Sequence, residues 1–110
     1  MSAYAPPKPE DNGDISDINI WTASTRKYGR LVNIQFNVQG TIKTVEKFIT
    51  LYTLNEGYRP IIAVVHNYVT QDGTPMLLNI LPSGEVQVYA FKAITSNWII
   101  RQCITFVCTL

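Results

Sequence analysis

The side chains in this 110-residue chain that have chemical capacity are few, and they suit recognition better than catalysis. A saccharide site sets an aromatic face against the CH groups of a sugar and planar polar side chains against its hydroxyls. Tyr58, Arg59, His66, Tyr68, Asp72, Asn97 and Trp98 are the supply of such groups. His66 and Tyr68 are two apart, so in a strand they share a face, and Asp72 follows Tyr68 into a turn. In Gly57-Tyr58-Arg59-Pro60 the glycine permits a bend and the proline fixes the approach to the next strand, presenting a ring and a fork of donors at the end of the domain. The candidate ligand-binding set is therefore Tyr58, Arg59, His66, Tyr68 and Asp72. Four of them have a competing structural role: Tyr58 packing over the core rim, Arg59 capping a carbonyl, His66 as a hydrogen-bonded strand residue, Tyr68 in subunit packing. Trp98 competes as a core residue.

Catalytic arrangements are missing. His66 is the single histidine, and one imidazole supplies neither a metal site nor a triad. Asp11, Asn12, Gly13, Asp14 and Asp17 lack the spaced ligands and terminal glutamate of a calcium loop. A glycosidase needs two opposed carboxylates, and the body offers Glu46, Glu56, Asp72 and Glu85, three of them in or beside expected turns. There is no phosphate-cradling glycine loop and no CxxC. The expectation is a protein that is not an enzyme and has no cofactor and no metal.

Charge and hydropathy narrow the partners further. Nine basic and eight acidic residues give a formal net charge of +1, without a cluster that would steer the chain to nucleic acid or an anionic membrane. No stretch approaches the ~18 consecutive apolar residues of a membrane helix, and the amino terminus lacks a signal-peptide core. No membrane insertion and cytoplasmic synthesis follow as expectations. Cys103 and Cys108 are five apart in an expected strand, face opposite sides, and read as reduced.

The elements that must hold these residues are strands. Residues 1–17, with Pro6, Pro7, Pro9 and an acidic run, read as a flexible amino-terminal arm or linker, and 18–110 as one folded body. Leu31 to Gln39 alternates strictly, with Val32, Ile34, Phe36 and Val38 on one face and Asn33, Gln35, Asn37 and Gln39 on the other. Lys27-Tyr28-Gly29-Arg30 turns the chain back from an earlier strand, Ile18 to Thr25. Further strands are expected at Phe48 to Leu54, Ile61 to Thr70, Met76 to Leu81 and around Val86, Val88 and Ala90. Asp72-Gly73 predicts a two-residue hairpin loop and Pro82-Ser83-Gly84 another turn. Trp98 to Leu110 closes the chain as one strand, with Trp98, Ile100, Ile104, Phe106, Cys108 and Leu110 on one face, interrupted only by Gln102. Turn signals about every ten residues with no helical period predict an all-β fold, an antiparallel β-sandwich or jelly-roll-like small barrel.

One strand is apolar on both faces. Ile61, Ala63, Val65 and Val69 fall on one side, Ile62, Val64 and Tyr68 on the other, so a two-layer domain leaves a stripe in water. Either another chain covers it, through a sheet face or a strand edge, or the amino-terminal arm or a loop does so within the chain.

Four stretches carry a resemblance: "WTASTRKYGRLVNIQFNVQG", "LNEGYRP", "ILPSGEVQVYA" and "SNWIIRQCITFVCTL", which together span Trp21 to Leu110. In order and spacing they resemble the carboxy-terminal head domain of bacteriophage tail-fibre and baseplate receptor-binding proteins, particularly of phages infecting Gram-positive hosts. The resemblance implies a β-sandwich or jelly-roll head, a homotrimer, located on the virion and made in the host bacterial cytoplasm. It also implies recognition of a bacterial cell-surface saccharide or protein receptor, with other tail or baseplate proteins as partners. No shaft precedes the head, so the chain reads as an excised domain or a short accessory protein. The alternatives are a trimerisation or capping module that binds no sugar and, least supported by the residues, a polysaccharide-degrading enzyme.

Overall fold

The alternation beginning at Leu31 makes the spine of the molecule. Val32, Ile34, Phe36 and Val38 are buried and Ile42 extends the same row, so this strand runs Leu31–Ile42. The computed structural model describes residues 2–108. Its strands in chain order are β1 (Ser2–Tyr4), β2 (Ile15–Tyr28), β3 (Leu31–Ile42), β4 (Phe48–Thr53), β5 (Val64–Val69), β6 (Pro75–Ile80), β7 (Glu85–Ala90), β8 (Ile94–Ile100) and β9 (Cys103–Val107). One sheet has the order β1-β2-β3-β8, with β9 also paired to β3, and the other the order β4-β7-β6-β5. All pairings are antiparallel, and no helix occurs among the described residues. The fold is the expected all-β, antiparallel sandwich.

The core lies between the facing rows of the two sheets. Ile34, Phe36, Val38 and Ile104 of the first meet Ile49, Leu51, Met76, Leu78, Val86 and Val88 of the second in one buried cluster. Truncating one such branched side chain to alanine costs about 2–5 kcal/mol. The sequence expectation for β7 is met in full: Val86, Val88 and Ala90 are buried, while Glu85, Gln87 and Tyr89 lie on the outer face.

Of the turns, one differs in detail from expectation. The β2–β3 hairpin closes at Tyr28↔Leu31, with Gly29 at φ 60° as the first of two loop residues. The β5–β6 loop is three residues long rather than two: Thr70 N donates to Thr74 O at 2.9 Å and Gly73 N to Thr70 O at 2.9 Å. Gly73 takes φ 87°, the left-handed residue that ends a type I turn in three-residue hairpins. The β6–β7 loop repeats this closure, with Gly84 N donating to Leu81 O and Leu81 N to Glu85 O.

The amino-terminal segment is bound to the body instead of free. β1 pairs with β2 from Ser2↔Lys27 to Tyr4↔Thr25, Trp21 Nε1 donates to Pro6 O at 2.8 Å, and Lys8 Nζ donates to Ile18 O at 3.1 Å. β2 itself starts at Ile15, three residues before the expected start. The prolines that disfavour sheet pairing fall after β1, where they leave the chain extended over the sheet.

The closing strand is broken. β8 and β9 lie along the same side of β3, separated at Arg101-Gln102, and the register slips between Val38↔Ile100 and Gln39↔Trp98. The slip exchanges faces: Ile99 and Ile100 are both buried, whereas Trp98 is only partly so. The expectation of Trp98 as a core residue on the Ile100 face is thereby corrected. Leu110, expected on that face, lies outside the described residues. The strand expected over Ile61 to Thr70 is shorter, because Ile61 N donates to Val107 O and Pro60 bridges Cys108, pulling residues 60–61 toward the other sheet.

Candidate binding site

At the β6–β7 end of the sandwich stand Tyr58 and Arg59, and both are engaged by the fold. The Tyr58 ring meets Tyr4 edge-on at 4.8 Å between centroids, its hydroxyl shares a 2.6 Å hydrogen bond with Ser2 Oγ, and Lys27 Nζ lies 5.6 Å above the ring. Arg59 Nε donates to Leu54 O at 3.0 Å, beside Gly84, where a Cβ would stand 2.6 Å from that nitrogen. These two residues do what their competing structural roles require, a core-rim ring and a carbonyl cap.

The other three candidates converge at the opposite end of β6. His66 and Tyr68 stack at 5.9 Å and 19° on β5, as their spacing predicts. They point into the open seam between β5 and the β8–β9 break. His66 Nε2 meets Gln102 Oε1 at 3.1 Å, and the Tyr68 hydroxyl donates to Ile99 O at 2.6 Å. Burial pushes the Tyr68 phenol well above its usual value. Tyr68 is thus a pin across the seam whose ring borders the site, and its hydroxyl is already engaged.

Asp72 crowns the β5–β6 loop. Its Oδ1 accepts hydrogen bonds from Thr70 Oγ1, from Thr74 N at 3.2 Å and from Thr74 Oγ1 at 2.9 Å, and its Oδ2 accepts from Asn97 Nδ2 at 3.0 Å. The Thr70 and Thr74 hydroxyls, which favour the charged form, hold its carboxyl down at about 2. Asp72 therefore ties the hairpin tip to β8 as a fixed anion. The donors come from small threonines that the loop buries.

Between the tip and the strand break lies a pocket of about 200 Å³ lined by Tyr68, Val69, Thr70, Gln71, Trp98, Arg101 and Gln102. The Arg101 guanidinium stacks over the Trp98 ring at 4.5 Å, holding the indole at the pocket wall. The pocket is the size of a sugar ring rather than of a drug-sized ligand. Asp72 and Asn97 adjoin it through Thr70 and Trp98 without lining it.

Of the five candidates only Tyr68 lines this pocket, His66 touching it through Gln102 and Asp72 adjoining it, and Trp98 comes from the wider supply of aromatic groups. Gln71, Arg101 and Gln102 were not singled out, because a continuous closing strand puts Arg101 and Gln102 on opposite faces. The one polar interruption of that strand's apolar row, Gln102, was the available signal. Among the described residues no three His, Cys, Asp or Glu side chains gather as metal ligands. No protein-family model matches the chain, and no curated protein matches it.

Proposed function

We propose that this chain is a host-recognition head of a bacteriophage tail or baseplate, which binds a saccharide of the bacterial surface without processing it. The pocket at the β5–β6 tip is the observation that carries the reading. It combines a guanidinium-backed indole with two amide side chains, Gln71 and Gln102, a pairing that suits the CH faces and hydroxyls of a sugar. Tyr68 and Asp72 fix two supports of the wall through hydrogen bonds with Ile99 and Asn97, which lowers the ordering cost on that side, while the exposed Gln71 and Arg101 order on binding. The motif order from Trp21 to Leu110 supplies the phage-head context.

A calorimetric titration with purified cell-wall polysaccharides of Gram-positive bacteria tests the reading. Saturable binding by the intact protein, lost in a Trp98→Ala variant that keeps its fold, is the expected result. Binding unchanged in that variant removes the pocket from the reading.

A second reading, a capping or assembly module that binds no sugar, is favoured by one observation. Pro60 to Val65 with Phe106 and Val107 line an open apolar groove of about 580 Å³, a surface suited to protein contact.

A further inference from the structure

Val65 and Val69 are each 62% exposed on β5, and Ile62 just before it is 74% exposed. Neither the amino-terminal segment, which follows β2, nor any other described strand covers them. β5 is also an edge strand, paired only with β6 among the described residues. We propose that this edge pairs with β5 of a second copy of the chain, antiparallel, about a twofold axis at Asn67.

The backbone presents the required groups. Thr70 N donates to Thr74 O, and the β5–β6 register runs in step from Val69↔Pro75 to Val64↔Ile80. Hydrogen-bonded and non-bonded pairs alternate along an antiparallel ladder, so Thr70, Tyr68, His66 and Val64 face β6. Val65, Asn67 and Val69 are left with N–H and C=O directed outward. These three residues are also the ones whose side chains are exposed.

The sequence is self-complementary at this edge. Val65-His66-Asn67-Tyr68-Val69 reads as apolar, ring, amide, ring, apolar in both directions. Centred on Asn67, an antiparallel pair sets Val65 opposite the partner's Val69, His66 opposite the partner's Tyr68 and Asn67 opposite the partner's Asn67. Apolar and amide pairs at these positions stabilise a ladder, and no like charges meet. The partner's Val69 comes to the mouth of the apolar groove, which Val65 lines.

The remaining edges carry the devices that suppress pairing, and β5 carries none. β1 has three residues. β4 has a register irregularity between Thr50 and Tyr52. The β8–β9 side is interrupted at Arg101-Gln102 and crossed at its far end by Pro60 and Ile61. β5 holds no lysine, proline or bulge. A twofold pair also differs from the threefold assembly that the head-domain resemblance implies, so the two are separable.

Sedimentation velocity from micromolar to submillimolar concentration tests the pairing. The intact protein is expected to reach a mass twice its 12.4 kDa. Asn67→Pro removes an outward donor without touching the bonds to β6, and Val65→Lys places a charge on the edge. Each variant is expected to weaken dimerisation by about tenfold or more while far-UV circular dichroism stays unchanged. Should the proline variant fail to fold, the lysine variant alone carries the test. Slow amide exchange at Val65, Asn67 and Val69 in concentrated protein, fast on dilution, locates the contact. A monomer at all concentrations, or a trimer that neither variant affects, overturns the proposal. Saccharide affinity per site does not enter these readouts, so a failed pocket and a failed dimer give different results.

Discussion

The two ends of β6 hold similar side chains in different circumstances. At one end Tyr58 and Arg59 meet Tyr4, Ser2, Lys27 and Leu54 O. At the other, Trp98 and Arg101 stack on each other beside an open pocket that Gln71 and Gln102 also line. An aromatic next to an arginine is thus tied into the fold where the fold supplies partners, and lines an open pocket where it leaves room. What separates them is the satisfaction of each polar atom, which residue type does not reveal.

The sharpest way to separate the ends is to crowd the first. Gly84 sits at φ 95°, and an added Cβ would approach Leu54 O to 2.9 Å as well as the Arg59 side chain. Gly84→Ala is expected to destabilise the protein by roughly 3 kcal/mol in urea unfolding, because a carbonyl cannot move aside as a side chain does. Polysaccharide affinity of the folded fraction should stay unchanged.

Trp98→Ala should do the opposite. The ring is only partly buried, so the unfolding midpoint moves little. Affinity for the bound polysaccharide falls by about tenfold or more, equivalent to about 1.4 kcal/mol. A large loss of stability with affinity retained would erase the distinction between the ends.

Removing a hydroxyl at each end compares them directly. Tyr68→Phe strands the Ile99 carbonyl in the seam and should cost about 1 kcal/mol, whereas Tyr58→Phe loses an exposed bond to Ser2 and should cost a few tenths. Equal costs would mean that the seam is wetter than its geometry indicates.

The smallest effect concerns acid. The folded Asp72 carboxyl lies at about 2, below its ordinary 3.8, so its contribution to stability is complete above about pH 4 and disappears as pH falls through 2. Asp72→Asn should flatten the stability profile in that window and leave it unaltered at neutral pH relative to its own baseline. Asp14, also held low, by Thr44 and Lys47, titrates in both proteins and cancels in the difference.

The strands that were legible in the sequence are those with one buried face and no irregularity. β3 and β7 alternate cleanly because a one-residue slip would turn their apolar rows to water. β8 was not legible, since a register slip buries Ile99 and Ile100 together and turns Trp98 outward. The pairing of His66 with Tyr68, and their nearness to Asp72, followed from strand period and turn position. The far wall of the pocket depends on the break at Arg101-Gln102, a long-range adjustment of β8 and β9 to β3 that local pattern does not encode. Tyr58 and Arg59 are instead engaged by the fold, Tyr58 by Tyr4 and Ser2 of a segment expected to be free and Arg59 by the Leu54 carbonyl, contacts between residues that local pattern does not bring together.

The most direct measurement is a proton–nitrogen NMR titration of the intact protein with purified cell-wall polysaccharide fragments, following the Trp98 indole, the Gln71 and Gln102 side-chain amides and the Tyr58 and Arg59 backbone amides. Saturable shifts confined to Trp98, Gln71 and Gln102 are the predicted result. Shifts centred on Tyr58 and Arg59, or none with any fragment, would contradict the assignment of the β5–β6 corner as the recognition site.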